Sequence, residues 1–168
     1  MNKLINPFLI IIFAVILRLI PHVPNFAPIS AMALFGGVYL NKEYALIVPL
    51  LAMFLSDIFL GFHSTILFVY GSFLLIGFMG IWLSKHKNLR NIFLATFFSS
   101  VLFFIITNFG VWINGGLYPK MLTGLLDCYV SAIPFFRNTI LGDAFYVSLF
   151  FGSYELAINF FKKSAPSI

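Results

Sequence analysis

NGGLYPKMLTGLLDCYVSAIPFFRN, residues 114–138, is apolar enough to be counted as a membrane span, and whether it is one decides the architecture. Three features speak against it. It is short and stops at Pro134. It also carries a polar stripe of Lys120, Thr123, Asp127 and Ser131, spaced by three, four and four residues. Met121, Leu122, Leu125, Leu126, Tyr129 and Val130 fall opposite, so the helical period gives one wet and one apolar face. The segment reads as an amphipathic helix covering one end of a bundle. Gly115, Gly116 and Gly124 flank or interrupt it, so it is expected to move more than the spans.

On either side the chain is a series of apolar runs, about 4–20, 27–40, 44–60, 65–83, 91–113 and 139–161. A helix needs roughly 20 residues to cross the hydrocarbon core, so 168 residues accommodate six spans with short loops. The breaks between them have physical causes. PHVPNFAP, residues 21–28, has three prolines and reads as a stiff loop, while NKEY (41–44) and SKHKNLR (84–90) are polar turns. The start, MNKLINPFLIIIFAVILRLIPHVP, has no A-x-A-like cleavage site behind it and reads as the first span rather than a leader. Only 9% of residues are charged and mean hydropathy is +1.04, against about 25% charged in soluble domains, so a soluble fold is excluded. The expected fold is all-α: a polytopic membrane protein in a single domain, 1–168, with six transmembrane helices plus the amphipathic helix between spans five and six.

The basic residues orient this arrangement. With the N-terminus inside, Lys3, Lys42, Lys85, Lys87, Arg90, Lys162 and Lys163 lie inside and Arg18, Lys120 and Arg137 outside, 7 against 3; a seventh span would give 6 against 4. The expected location is a bacterial cytoplasmic membrane, multi-pass, with both termini in the cytoplasm. Trp82 then falls at the inner boundary and Trp112 at the outer. The net charge of +5 sits at span ends, which argues for membrane orientation and against nucleic acid.

In that topology the unusual polar residues gather at the outer side. Arg18, Asp57 and Asp143 each lie about one turn inside a span, where charge is tolerated if paired or lining a wet cavity. Two readings stay open: an ion pair of Arg18 with Asp57 or Asp143, or a binding site. Asn108 and Trp112, four apart, share a face suited to a planar ligand. The candidate substrate-binding residues are Arg18, His22, Asn25, Asp57, His63, Asn108, Trp112, Asp127, Arg137 and Asp143. His22 and His63 have no spaced third ligand and make no metal signature, so no metal or cofactor is expected. Cys128 has no disulfide partner and reads as a packed thiol. Glu155, Asn159 and Lys163 read as a surface pair. The small-residue pairs Ala33/Gly37, Ala52/Ser56, Ala95/Ser99 and Ser148/Gly152 read as helix-packing positions. No GxxxxGK[ST], GxSxG or HExxH motif occurs, so ATP hydrolysis and the catalysis those motifs mark are not expected.

RLIPHVPNFAPISAMALFGGVYL, LSDIFLGFH, FVYGSFLLIGF, TNFGVWI and YPKMLTGLLDCYVSAIPFFRNTILGDAFY together resemble an uncharacterised family of small bacterial membrane proteins described as transport proteins. More distantly, six spans, inside termini, a Pro-rich first loop and a long fifth loop are similar to the substrate-binding S components of energy-coupling factor vitamin transporters. That resemblance implies a site open to the outside and lined by the first, third and fifth loops: here His22 and Asn25, His63, and Asn114 to Asn138. It also implies an energy-coupling subunit with its ATPases as partners, besides the lipid bilayer and a small-molecule substrate. S components dock that subunit through small residues on the first span. Here the first span offers Ala14, and Ala31, Ala33 and Gly37 of the second offer an alternative face; a solitary S component would also fit. Some solitary relatives handle cobalamin, which would give Cys128 a role toward cobalt.

The expected function is therefore uptake of a small organic, vitamin-like nutrient, cobalamin or another cofactor precursor, by a protein that is not itself an enzyme. The alternatives are an integral-membrane enzyme acting on a lipid or isoprenoid through Asp57, Asp143 and a histidine, and a structural subunit of a membrane complex.

Overall fold

A computed structural model describes the backbone of residues 7–164 and the side chains of 9–160. Lys3, the first residues of the first run and the side chains of Lys162 and Lys163 lie outside the described residues. The described residues form six helices and no strand: α1 Pro7–Leu19, α2 Ile29–Tyr39, α3 Lys42–Leu60, α4 Ile66–Lys85, α5 Leu89–Asn114 and α6 Leu122–Ser164.

Local chemistry explains the boundaries. α1 stops before Pro21. The loop beyond it turns at Val23–Phe26, closed by the Phe26 N–H donating to the Val23 carbonyl at 3.1 Å. Pro24 takes the second position of that turn and Asn25, at φ 65°, the third, which requires a left-handed residue. α3 ends on Gly61 at φ 91°, whose N–H caps the Asp57 carbonyl at 2.8 Å. At the start of α5 the Asn88 side chain accepts from the Asn91 N–H.

Nine of the eleven residues of α2, Ile29 to Gly37, are buried; it is the central helix, wrapped by α3, α4, α5 and α6. Its contact with α4 is closest at Gly37, where a Cβ would lie 2.3 Å from the Gly80 carbonyl carbon. Ala33, Ala52, Ser56, Ala95 and Ser99 are likewise buried, as the small-residue spacing implies, whereas Ser148 and Gly152 face outward. The Ala31, Ala33, Gly37 face proposed as a docking alternative is covered by the bundle itself. Large apolar side chains cover the outside, among them Leu67, Leu89 and Phe93. Such a surface suits lipid and not water.

Three helices, α3, α4 and α5, are long and apolar enough to cross a membrane. Among the described residues the six-span expectation meets that standard only there. α2 has 11 residues and so extends about 16 Å, and Asp143, Glu155 and several small polar residues dilute the apolar character of α6.

The amphipathic segment is also corrected. It is not a separate helix lying across the bundle but the first third of α6, which continues through Pro134 for 43 residues. This arm runs antiparallel to α5: Tyr129 donates to the Ile105 carbonyl at 2.7 Å, Phe104 packs against Tyr129 and Phe136, and Cys128 lies 3.4 Å from the Asn108 carbonyl. Gly124, Cys128 and Ala132 form the buried stripe, while Leu122, Leu126 and Val130 are exposed. Packing of small residues against α5, rather than the polar-to-apolar contrast, sets the rotation of the arm.

Candidate functional site

The ends of α1, α3 and α5, the starts of α2 and α4 and the middle of α6 meet at one end of the bundle. A cavity of about 510 Å³ opens there, lined by Arg18, His22, Asn25, Ser30, His63, Thr139 and Asp143 and walled by Ile29, Met53, Val69, Phe73 and Phe103. A second lobe of about 400 Å³ lies between the arm and α5, with Thr107, Asn108, Cys128 and Ser131 among its residues. Asn25, His63, Val69 and Phe103 line both, so the two lobes adjoin.

Arg18 resolves the ion-pair alternatives. Its Nη1 is 2.6 Å from Asp57 Oδ1, donates to the Met53 carbonyl at 3.2 Å and also donates to Ser56 Oγ. Asp57 is 1% exposed, and its Oδ1 meets the guanidinium as an ion pair without a directed N–H bond. Tyr70 donates to its other oxygen at 2.8 Å. One carboxylate thus ties α1 and α4 to α3 just behind the cavity wall. Asp143 does not join that pair. It is 2% exposed, lines the cavity, and accepts from Ser100 at 2.6 Å and from Ser30.

The histidines are held locally on exposed loops, His22 Nδ1 at 3.0 Å from the Val23 carbonyl and His63 Nδ1 at 3.0 Å from Thr65 Oγ1. Among the described residues no three His, Cys, Asp or Glu side chains gather as a metal would require. What this arrangement offers a ligand is an aromatic and aliphatic wall, a ring of hydroxyl, amide and imidazole groups, and one carboxylate at depth.

The model of a family of unknown function, DUF6580, matches residues 1–167. The chain belongs to DUF6580. No curated protein and no solved structure matches it.

Of the ten residues expected at the site, this DUF6580 chain brings Arg18, His22, Asn25, His63 and Asp143 to the main lobe and Asn25, His63 and Asn108 to the second. Asp57 stands behind Arg18. Asp127 and Arg137 are exposed and lie outside both linings; Trp112, half-buried, also lies outside them. The Trp112 indole donates to the Pro119 carbonyl at 2.9 Å, and Lys120 covers its ring while donating to the Trp112, Ile113 and Gly115 carbonyls. Together they cap the C-terminus of α5 and fix the turn into the arm. Asn114 donates to the Ser64 carbonyl and Asn138 to the Pro24 carbonyl, each at 3.1 Å, fastening the third and first loops beside the cavity. Sequence reasoning missed Tyr70, Ser56, Ser100 and Ser30. Single hydroxyls in apolar runs carry no periodic signal, and only the charged partner makes them visible.

At the opposite end Glu155 accepts from Tyr39 at 2.6 Å and from Lys87 at 2.5 Å, and Lys87 sits over the Tyr39 ring. Glu155 therefore joins α2 and the α4–α5 turn to α6, rather than serving only its own helix. Burial alone would lower the Lys87 pKa, but its bonds to Glu155 and Tyr39 outweigh that and hold it above the ordinary lysine value.

Proposed function

We propose that this protein binds a small organic nutrient, of the size of a vitamin, from the outer side of a bacterial cytoplasmic membrane and mediates its uptake, in the manner of the S components of energy-coupling factor transporters. The observation that carries this reading is the adjoining two-lobed cavity at one end of the bundle, bounded by the first loop, the third loop and the arm that leads into α6. A largely apolar concavity with a few convergent polar groups is the usual form of a small-molecule site. All six helices cross the bilayer in this reading, with the short α2 sheltered by its longer neighbours and both termini in the cytoplasm. The cavity end faces out; the opposite end, with Lys42, Lys85, Lys87 and Arg90, faces in, as basic residues prefer. Energy would come from separate ATPase subunits through a coupling protein. Its docking face would lie outside the buried α2 stripe.

Orientation is tested with single cysteines on a Cys128→Ser background. Leu117, 80% exposed at the second lobe, and Lys85 on the basic turn are each replaced by cysteine. A membrane-impermeant maleimide added to intact cells should label Leu117→Cys and spare Lys85→Cys. The reverse pattern would contradict outward binding.

A further inference from the structure

The cavity contains two acidic or basic groups at depth, and they differ in how their charge is balanced. Arg18 is compensated: Asp57 stands 2.6 Å from it, and Tyr70 occupies the other Asp57 oxygen. Asp143 is not. The ion pairs among the described residues are Arg18–Asp57 and Lys87–Glu155, and neither includes it. Its partners are the hydroxyls of Ser100 and Ser30. Hydroxyls donate hydrogen bonds to a carboxylate but do not cancel its charge. The charged form of a carboxylate that is 2% exposed and lacks a cation is costly to bury, and a positive group of matching size in the cavity would offset that cost.

The wall near Asp143 adds shape. Phe73 and Phe103 line the same lobe with ring centroids 5.2 Å apart, tilted by 30°, beside Val69 and Ile29. Aromatic faces attract cations and stack on flat rings. A main lobe of about 510 Å³ is roomy for one or two such rings.

We propose that the ligand of this cavity is an organic cation with a flat apolar body, its positive group paired with Asp143 and its ring against Phe73 and Phe103. This rests on the reading of the cavity as a binding site and adds the substrate class to it. An anionic ligand is disfavoured because the Asp57 pair already draws on Arg18 and because Asp143 would repel it. The positive group is a protonated amine or a quaternary nitrogen, which the same test separates.

The test uses the full chain purified in mild detergent and four probes that share one ring: benzylamine, benzyltrimethylammonium, benzyl alcohol and benzoate, at millimolar concentration, read as shifts in melting temperature. One or both cations should raise it, and the alcohol and benzoate should not. A shift with benzyltrimethylammonium alone marks a quaternary ligand, and one with benzylamine alone marks an amine. In Asp143→Asn the empty protein should melt at the same or a higher temperature, while cation affinity falls at least about tenfold. Asp143→Ser, which also removes the carboxylate, should lose cation binding likewise and serves if Asp143→Asn does not fold. Val69→Trp, which fills the wall shared by both lobes, should abolish it. Preference for benzoate or the alcohol, with that binding lost in Val69→Trp, would overturn the cation assignment and leave the cavity reading standing. An unchanged cation shift in Asp143→Asn, or no shift with any probe, would also overturn the assignment. Binding that persists in Val69→Trp would place the ligand elsewhere and overturn both.

Discussion

Arg18 Nη1 of α1 lies 2.6 Å from Asp57 Oδ1 of α3, in a site where the carboxylate is almost wholly buried. Removing either partner leaves a charge without compensation. Arg18→Ala and Asp57→Ala should each cost about 3 kcal/mol of stability, whether or not a ligand is present. Arg18→Met with Asp57→Leu together should recover much of the loss, because both desolvation costs vanish at once. A double-mutant cycle in thermal or denaturant unfolding checks this. Strong coupling of Arg18 to Asp143 in place of Asp57 would contradict the geometry.

The approach of α2 to α4 depends on two residues without side chains. At Gly37 a Cβ would lie 2.3 Å from the Gly80 carbonyl carbon and 2.5 Å from its Cα, both backbone atoms that cannot swing aside. Gly37→Ala should therefore cost about 1–3 kcal/mol through separation of the helices. Gly71→Ala, on α4 with open space around its Cβ, should be neutral or slightly stabilising. Equal melting temperatures for the two variants would refute the close contact.

Much of this was legible from sequence for a simple reason. Apolar runs bounded by prolines and polar turns are strong signals, so 44–60, 65–83 and 91–113 reappear as α3, α4 and α5 to within a few residues. The depth of Arg18, Asp57 and Asp143 was also readable, because charge inside an apolar run is itself the signal. Which aspartate Arg18 chooses was not, since the answer depends on how α1 is rotated against α3. The arm failed for another reason. Pro134 and the amphipathic stripe both argued for a break, and contacts of Tyr129, Phe136 and Cys128 with α5 overrode them.

That packing gives the arm a definite expected behaviour. Amides of residues 124–133 should exchange as slowly as those of the C-terminal half of α5, and Cys128, 2% exposed, should resist alkylation until the protein unfolds. Hydrogen exchange by mass spectrometry reads the first and a maleimide time course the second. Fast exchange across the arm would restore the loose cover that its glycines suggest.

The Lys87 cluster has a pH signature. Its pKa is raised on folding, so the pairing stabilises fully below the ordinary lysine value of 10.5 and is lost as pH rises through the higher folded value. Lys87→Met should lower the melting temperature only slightly, because the side chain is 37% exposed. That difference should hold from about pH 7 to 9 and shrink in more alkaline buffer. A difference that grows with pH would show that another group is responsible.

Binding of a small molecule in the two-lobed cavity is decided most directly by native mass spectrometry of the protein released from mild detergent, comparing the wild type with Val69→Trp and with Leu67→Trp. Val69 lines both lobes, whereas Leu67 is 79% exposed on the outside of α4. The expected result is a small organic adduct on the wild type and on Leu67→Trp that is lost from Val69→Trp. An adduct retained in full by Val69→Trp, or lost equally from both variants, would contradict binding in the cavity.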